Sequence, residues 1–229
     1  MRQAEWKLVR ALPLFRNVKA AYFKKLMSAA FLQRFPYGVT LIREGELPDF
    51  LHIVVEGSVE MYGTDNGRET TIDILQPVTT FILAAVIRDE VYLKSARTLT
   101  PAQILMIPAT AVRDVFGRDA AFGRAIVSEL AMRYRDLVRA LKDEKLRTGV
   151  QRLANWILRA NAVQGHRHSV ELEFDKRILA SRLGMTPENL SRNLALLAGH
   201  GVKSSGRDIV IEDADALAEF AKPNSLIDG

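Results

Sequence analysis

A carboxylate, a hydroxyl and a guanidinium recur at helical spacing near the carboxyl end of the chain. Within GMTPENLSRNLALLAGHGV, Glu188, Ser191 and Arg192 stand at i, i+3 and i+4, so a helix would place all three on one face. A carboxylate cannot bind phosphate, but it can accept a hydrogen bond from the N4 amino group of cytosine, and arginine can pair with O6 and N7 of guanine. The spacing therefore indicates base reading in DNA. An ordinary amphipathic helix with an i,i+4 ion pair is the alternative.

Two short helices must position these side chains. The pattern predicts helices over 175–183 and 187–199, joined by a three-residue turn that contains glycine, which together form a helix-turn-helix. Thr186 is a good N-cap, and Pro187 suits the first helical position because its missing N–H would have no partner there. The N-terminal end of the second helix enters the major groove in such motifs, so Thr186 and Asn189 are further candidate DNA contacts.

A hairpin is predicted after the second helix, with its turn in KSSGRD. Lys203 and Arg207 would contact phosphate from this turn if it acts as a wing, and a solvated β-turn is the equal alternative. Between residues 146 and 207 the chain carries ten Lys and Arg against four acids, an excess that suits a polyanionic partner.

The N-terminal half has a different pattern of residues. Helical spacing over 1–30 is divided at Pro13, and short runs of Val, Ile, Thr and aromatic residues then alternate with turns from 31 to 108. This rhythm predicts a small antiparallel β-barrel or β-roll. Asn66-Gly67 lies between two such runs and predicts a hairpin with a type I′ turn.

The longest helical pattern covers 109–147 and would connect the two halves. It carries a narrow apolar stripe at 3,4 spacing, which favours a partner helix, although it could also pack against the roll. The stripe consists of Val127, Leu130, Tyr134, Leu137 and Leu141. We therefore expect an α+β chain with three parts: 1–108, N-terminal helices and a β-roll sensor; 109–147, a dimerisation helix; and 148–229, a winged-helix DNA-binding domain.

Composition excludes several function classes. The chain has no cysteine, so it cannot form disulfides or bind zinc or iron–sulfur clusters through cysteine. The longest apolar run, 78–87, is too short to cross a bilayer, and the N-terminus lacks a signal-peptide core. We expect a cytoplasmic protein without a membrane partner. No nucleophile–base arrangement or metal-ligand cluster is visible, so an enzyme is not expected.

The order of these features resembles the Crp/Fnr superfamily of bacterial transcription regulators. The motifs that carry the resemblance are GELPDFLHIVVEGSVEMY in the roll and LASRLGMTPENLSRNLALLAGHGV in the winged helix. The resemblance implies a cyclic-nucleotide-binding-like jelly roll, a homodimer formed through the long helix, and RNA polymerase as a partner. In the Fnr-like branch Glu-x-x-Ser-Arg reads a TTGA-type half-site, which implies that Glu188 and Arg192 contact base edges and Ser191 a base or nearby phosphate. Two-fold symmetry then predicts a palindromic operator.

The sensor departs from the cyclic-nucleotide pattern. Members that bind cyclic nucleotides carry Gly-Glu and Arg-Ser-Ala, whereas this chain has Ile82-Leu83 and Lys94-Ser95-Ala96 within FILAAVIRDEVYLKSARTL. Leu83 cannot accept the ribose hydroxyls, and lysine lacks the two-pronged fork of arginine. We therefore expect a small-molecule or gas effector other than cyclic AMP or cyclic GMP. Its pocket is predicted to be more apolar, with Phe81, Leu83, Val86, Ile87, Tyr92, Lys94 and Ser95 as candidates.

The lack of cysteine excludes the Fnr-type cluster, and the chain looks most similar to the nitric-oxide-responsive, denitrification-regulator branch. That branch implies haem as a candidate cofactor, with a histidine, a methionine or the terminal amine as axial ligand. Among the histidines, a packing role is favoured for His52, a solvated loop for His166 and His168, and a helix C-terminus for His200. Two alternatives stay open: a constitutive DNA-binding regulator with a degenerate sensor, and a regulatory subunit that does not bind DNA. Whether transcription is activated or repressed is left open.

Overall fold

The computed structural model describes residues 3–229, with side chains from residue 6 onwards. The chain forms two compact units, Met1–Tyr134 and Arg135–Gly229, here called the N-terminal and the C-terminal unit. Both units contain helices and antiparallel strands, which agrees with the expected α+β class. The units divide inside the long helix, whereas the predicted boundaries at 108 and 147 follow changes of element type.

Three short helices open the N-terminal unit: α1 Gln3–Ala11, α2 Pro13–Arg16 and α3 Ala20–Ala29. The division at Pro13 was expected. The further break between α2 and α3 was not, and it arises because Lys19 adopts ψ 140, outside the helical region. The backbone N–H of Lys19 instead donates to Asp119 Oδ2 at 2.8 Å, a partner one hundred residues away that local spacing cannot reveal.

Two four-stranded antiparallel sheets form the predicted roll. One has the order β1-β8-β3-β6 and the other β2-β7-β4-β5. The strands are β1 Phe31–Phe35, β2 Thr40–Ile42, β3 Phe50–Glu56, β4 Val59–Asp65, β5 Arg68–Leu75, β6 Thr79–Phe81, β7 Ser95–Thr98 and β8 Ala102–Pro108. The predicted hairpin is confirmed, because Asp65 pairs with Arg68 and both residues between them have positive φ, 49° at Asn66 and 75° at Gly67.

The N-terminal unit has two hydrophobic clusters. The roll core lies between the two sheets and includes Val54, Met61 and Ile104, each 0% exposed. The helix-side core joins the other face of β3 and β8 to α1–α3 and α5. A short helix, α4 Leu83–Arg88, lies in a region predicted to hold strands only. It starts after Ile82, whose φ of 60° is left-handed and unusual for a β-branched residue.

The region 109–147, predicted as one helix, forms two helices, α5 Ala109–Arg118 and α6 Ala120–Leu146. The prediction of a single continuous helix was therefore wrong. Asp119 between them is extended, with φ −115° and ψ 102°. Its carboxylate accepts from the backbone N–H groups of Ala121 and Phe122 at 2.8 and 3.1 Å. These bonds satisfy donors at the start of α6 that have no partner within the helix.

The C-terminal unit continues with α7 Gly149–Val163, which starts in a capping box of Thr148 and Gln151. It then contains β9 Ser169–Glu171, α8 Lys176–Arg182, α9 Pro187–Leu197, a 3₁₀ turn Ala198–His200, β10 Val202–Ser205, β11 Asp208–Ile211, α10 Ala214–Ala221 and α11 Ser225–Asp228. The three strands pair in the order β10-β11-β9. Within residues 3–229, no helix is both long and apolar enough to span a bilayer.

Candidate nucleic-acid interface and sensor

Helix α9 begins where the sequence predicts and for the predicted reason. Thr186 is the N-cap, and its hydroxyl accepts from the backbone N–H of Asn189 at 3.3 Å, with Pro187 in the first turn. The inward side of the helix is closed by three leucines: Leu190 at 1% exposed, Leu194 at 8% and Leu197 at 0%. This apolar backing holds α9 in the core of the C-terminal unit, so its opposite face is held towards solvent.

That opposite face carries the predicted reading residues, and Glu188, Asn189, Ser191 and Arg192 are all exposed. Glu188 does not orient Arg192 through a direct ion pair; Arg192 Nη2 donates to Asn189 Oδ1 at 2.6 Å. A hydrogen bond from the Thr186 side chain, followed by one from the backbone and the charge of Arg192, lowers the pKa of Glu188. The acid is therefore ionised at neutral pH and can only accept hydrogen bonds.

The predicted wing is the β10–β11 hairpin, which turns at Gly206 with φ 57°. Both of its predicted phosphate contacts have carboxylate partners within the unit. Lys203 Nζ lies 2.7 Å from Glu212 Oε1, and Arg207 Nη2 lies 3.7 Å from Asp175 Oδ1. All four side chains are about half exposed or more, so phosphate can compete for either cation.

Sequence reasoning missed Lys176. Its Nζ donates to Ser204 Oγ at 2.6 Å, which ties the start of α8 to the wing and adds a cation beside it. The only available signal was its membership in the basic excess of 146–207, because the pairing with Ser204 depends on how the hairpin folds back.

The stripe proposed for dimerisation lies largely open on α6. Val127 is 64% exposed, Tyr134 67%, Leu137 65% and Leu141 55%. Leu130 differs, because it is half-buried and packs against the helix-side core. Within the N-terminal unit, Leu130 packs as the alternative predicted, whereas Val127 and Tyr134 stay exposed.

The seven predicted effector-pocket residues do not all belong to one hydrophobic cluster. Phe81 and Tyr92 belong to the roll core, whereas Leu83 and Val86 belong to the helix-side core on the other side of the first sheet. This segment folds as α4, and Leu83 and Val86 pack with α5 and with the helix-side face of β3, so their place in an effector pocket stays a prediction.

The side chains of Lys94 and Ser95 have different surroundings and partners. The Ser95 hydroxyl accepts from the backbone N–H of Glu44 at 3.0 Å, so it holds the β2–β3 loop. Lys94 is half-buried, and burial lowers its pKa, while the charge of Asp73 acts in the opposite direction. Lys94 therefore places a partly buried amine where the cyclic-nucleotide pattern has arginine.

Haem does not fit the packing around His52, the one histidine of the N-terminal unit. The imidazole is 4% exposed and stacks on Phe81 with ring centroids 5.2 Å apart. Burial lowers its pKa to about 4. Phe50 packs edge-on against the same ring, with centroids 6.3 Å apart, so a porphyrin could reach the imidazole only by displacing these side chains. His200 instead packs on Phe220 at 4.3 Å, and the terminal amine lies outside the described residues.

Comparison with known proteins matches both parts of this architecture. Residues 32–119 match the cyclic nucleotide-binding domain family, and residues 151–220 match the Crp-like helix-turn-helix domain family. The chain belongs to the Crp/Fnr family. As a Crp/Fnr protein it is a DNA-binding transcription regulator, and the resemblance stated from the sequence is confirmed at this level.

Individual relatives agree with the family. A CRP-like cAMP-activated global transcriptional regulator of Mycobacterium tuberculosis is 24% identical over 91% of this chain and 96% of its own length. A structure of a Crp/Fnr-family protein from Eubacterium rectale superposes with a TM-score of 0.75 at 20% identity, covering 93% of this chain and 99% of that one. FixK2 from Bradyrhizobium japonicum gives 0.73 at 20%, covering 83% and 96%. Structural matches at this identity show the fold and do not separate branches of the family.

Proposed function

We propose that this Crp/Fnr regulator binds a palindromic operator with TTGA-type half-sites as a homodimer. The observation that carries the proposal is the exposed face of α9, where Glu188, Ser191 and Arg192 project together over the first two turns. An ionised acid beside an arginine suits a groove with a cytosine amino group next to a guanine. Lys203 and Arg207 would add phosphate contacts from the wing.

The exposed stripe of α6 supports the homodimer. Four apolar side chains at 3,4 spacing, each more than half exposed, would be costly to leave in water along a helix. A second copy of α6 would cover them by the knobs-into-holes packing of a coiled coil. The two reading helices would then be related by a two-fold axis, as a palindrome requires.

The effector would be a small molecule or gas other than cyclic AMP, although cyclic AMP activates the mycobacterial relative. Support comes from the buried, apolar Leu83, which stands where the cyclic-nucleotide pattern has glutamate and cannot accept ribose hydroxyls. Contact with RNA polymerase and a cytoplasmic location follow as further parts of the proposal. A nitric oxide signal has no support from a haem site.

DNA-binding measurements test the proposal. The purified protein should bind a TTGA palindrome in preference to a scrambled duplex, with a steep dependence on salt. Cyclic AMP at millimolar concentration should leave that affinity unchanged. Equal affinity for both duplexes would refute the base-reading assignment, and a large gain in affinity with cyclic AMP would refute the effector assignment.

A constitutive regulator is the second candidate, and the roll core favours it. Val59, Met61 and Ile104 are each fully buried, so the roll has an apolar core of its own without a ligand. This candidate is favoured over a ligand-gated one if the ligand-free protein binds the palindrome with nanomolar affinity. That affinity should not change when the small-molecule fraction of a cell extract is added.

A further inference from the structure

A buried group of charges joins the two ends of the C-terminal unit. The junction between α6 and α7 consists of Arg147 and Thr148, the two residues outside either helix. Arg147 donates from Nη1 and Nη2 to the two carboxylate oxygens of Asp228, at 2.8 and 2.6 Å. The side chains are 7% and 11% exposed. Asp228 on α11 therefore holds the helix junction through a bidentate, largely buried ion pair.

Two further groups complete this cluster. Arg159 on α7 donates to Asp228 Oδ1, and its guanidinium lies 3.8 Å from Asp143. Asp143 on α6 lies 2.9 Å from Arg147 Nη1. Two acids and two arginines thus balance in charge across α6, the junction, α7 and α11. Without the Asp228 carboxylate, two guanidinium groups would share Asp143 alone.

Arg152 secures the other side of the same junction. Its guanidinium donates to the carbonyl oxygens of Arg147 at 2.9 Å and Leu183 at 3.0 Å, and it lies 3.4 Å from Glu144 Oε2. Leu183 ends α8 and immediately precedes the turn into α9. The direction of the last turns of α6 is therefore coupled, through α7, to the element that presents the reading helix.

We propose that Asp228 is a positioning residue for DNA binding, which sets the angle between the C-terminal part of α6 and the helix-turn-helix. The inference rests on the proposed homodimer. If two copies pair along α6, this angle determines the separation of their reading helices, and so the half-site spacing that both can reach at once. Loosening the angle widens the range of spacings that are bound.

The core of the C-terminal unit does not depend on this contact. Helix α11 lies at the edge of that core: its Ile227 is buried at 9% exposed and Leu226 is 70% exposed, and neither belongs to the buried cluster that α7, α9 and the hairpin form. Loss of the Asp228 charge should therefore change the junction and leave the fold of the helix-turn-helix in place.

The test compares Asp228→Asn with wild type on operators whose half-site separation varies by one base pair at a time. Asp215→Asn is the matched control, because Asp215 is exposed on α10, away from the junction. The proposal expects Asp228→Asn to lose affinity at least fivefold at the best spacing and much less at neighbouring spacings. Discrimination against a changed half-site base should stay as in wild type, and Asp228→Glu should restore part of the spacing preference.

Uniform loss at every spacing, or a spacing profile identical to that of wild type, would overturn the proposal. Arg159→Gln removes one partner of Asp228 from a more exposed position, 34%, and should flatten the profile in the same sense if Asp228→Asn folds poorly. Wild-type protein that shows no preference for TTGA half-sites would refute the proposed function. If wild type prefers TTGA half-sites and both variants keep the wild-type spacing profile, only the positioning role is refuted.

Discussion

Replacing Arg192 by alanine should remove base discrimination with little effect on the fold. Arg192 is exposed on α9, and its hydrogen bond is to Asn189 at 2.6 Å, three residues earlier on the same helix. A pair of this kind contributes about 0.2–0.5 kcal/mol to a helix, and alanine favours the helix slightly more than arginine. The melting temperature should therefore stay close to that of wild type.

The effect on DNA binding should be much larger. One arginine–guanine pair is worth about 1–3 kcal/mol of discrimination. A homodimer presents Arg192 twice, at sites far enough apart to act independently, so the loss per dimer is about 2–6 kcal/mol. That corresponds to roughly a 30-fold to 20,000-fold loss of affinity for the cognate palindrome.

Fluorescence anisotropy with three duplexes would measure this loss: the palindrome, the palindrome with its guanines replaced, and a random sequence. Arg192→Ala should lose affinity on the first and little on the other two. Lys203→Ala is the comparison, because a phosphate contact should weaken all three alike and reduce the salt slope by about one per contact. If Arg192→Ala lowers affinity for random DNA as strongly as for the palindrome, the base-reading role is wrong.

Three further outcomes follow from local geometry. Gly57→Ala should destabilise the protein by more than about 1 kcal/mol, because φ is +78° and the added Cβ would lie 2.4 Å from the Pro101 carbonyl oxygen. Gly67→Ala is the control and should cost clearly less, because Gly67 has φ +75° but open space around it. Equal falls in melting temperature for the two variants would contradict this prediction. Asp119→Ala should cost about 0.5–2 kcal/mol as a lost N-cap, measured by urea unfolding, and no change would show that its three backbone bonds are dispensable. Burial tends to raise the pKa of Asp228, but Arg147 and the Asn224 N–H lower it to about 2, so its contribution should be complete above about pH 4 and lost as pH falls towards 2. Asp228→Asn should remove that part of the acid destabilisation, and an unchanged pH profile would count against the contact.

Local chemistry explains why several elements were predictable. Asn66-Gly67 tolerates the positive φ of a type I′ turn, and Thr186-Pro187 marks the start of a helix whatever surrounds it. The spacing of Glu188, Ser191 and Arg192 places them on one face of any α-helix. Each of these features depends on residues within about four positions, so the sequence carries the whole of the information.

The sensor could not be assigned from the sequence in the same way. A run such as Phe81–Ile87 is apolar whether it folds as a strand or as a helix. Whether Leu83 faces the roll or the helix-side core depends on where α5 packs. Ser95 looked available as a ligand, but its partner is the backbone of Glu44, about fifty residues earlier.

The sequence by itself determined the β-roll, the hairpin, the helix-turn-helix and the residues that its outward face would present. Only the tertiary structure decided that the long helix breaks at Asp119 and that Asp228 pairs with Arg147 at the junction of α6 and α7. The physical reason is the separation along the chain between the residues that interact. Turn and cap preferences act between neighbours in the chain, whereas the backbone N–H of Lys19 and the guanidinium groups of Arg147 and Arg159 find their carboxylates only after distant segments have packed together.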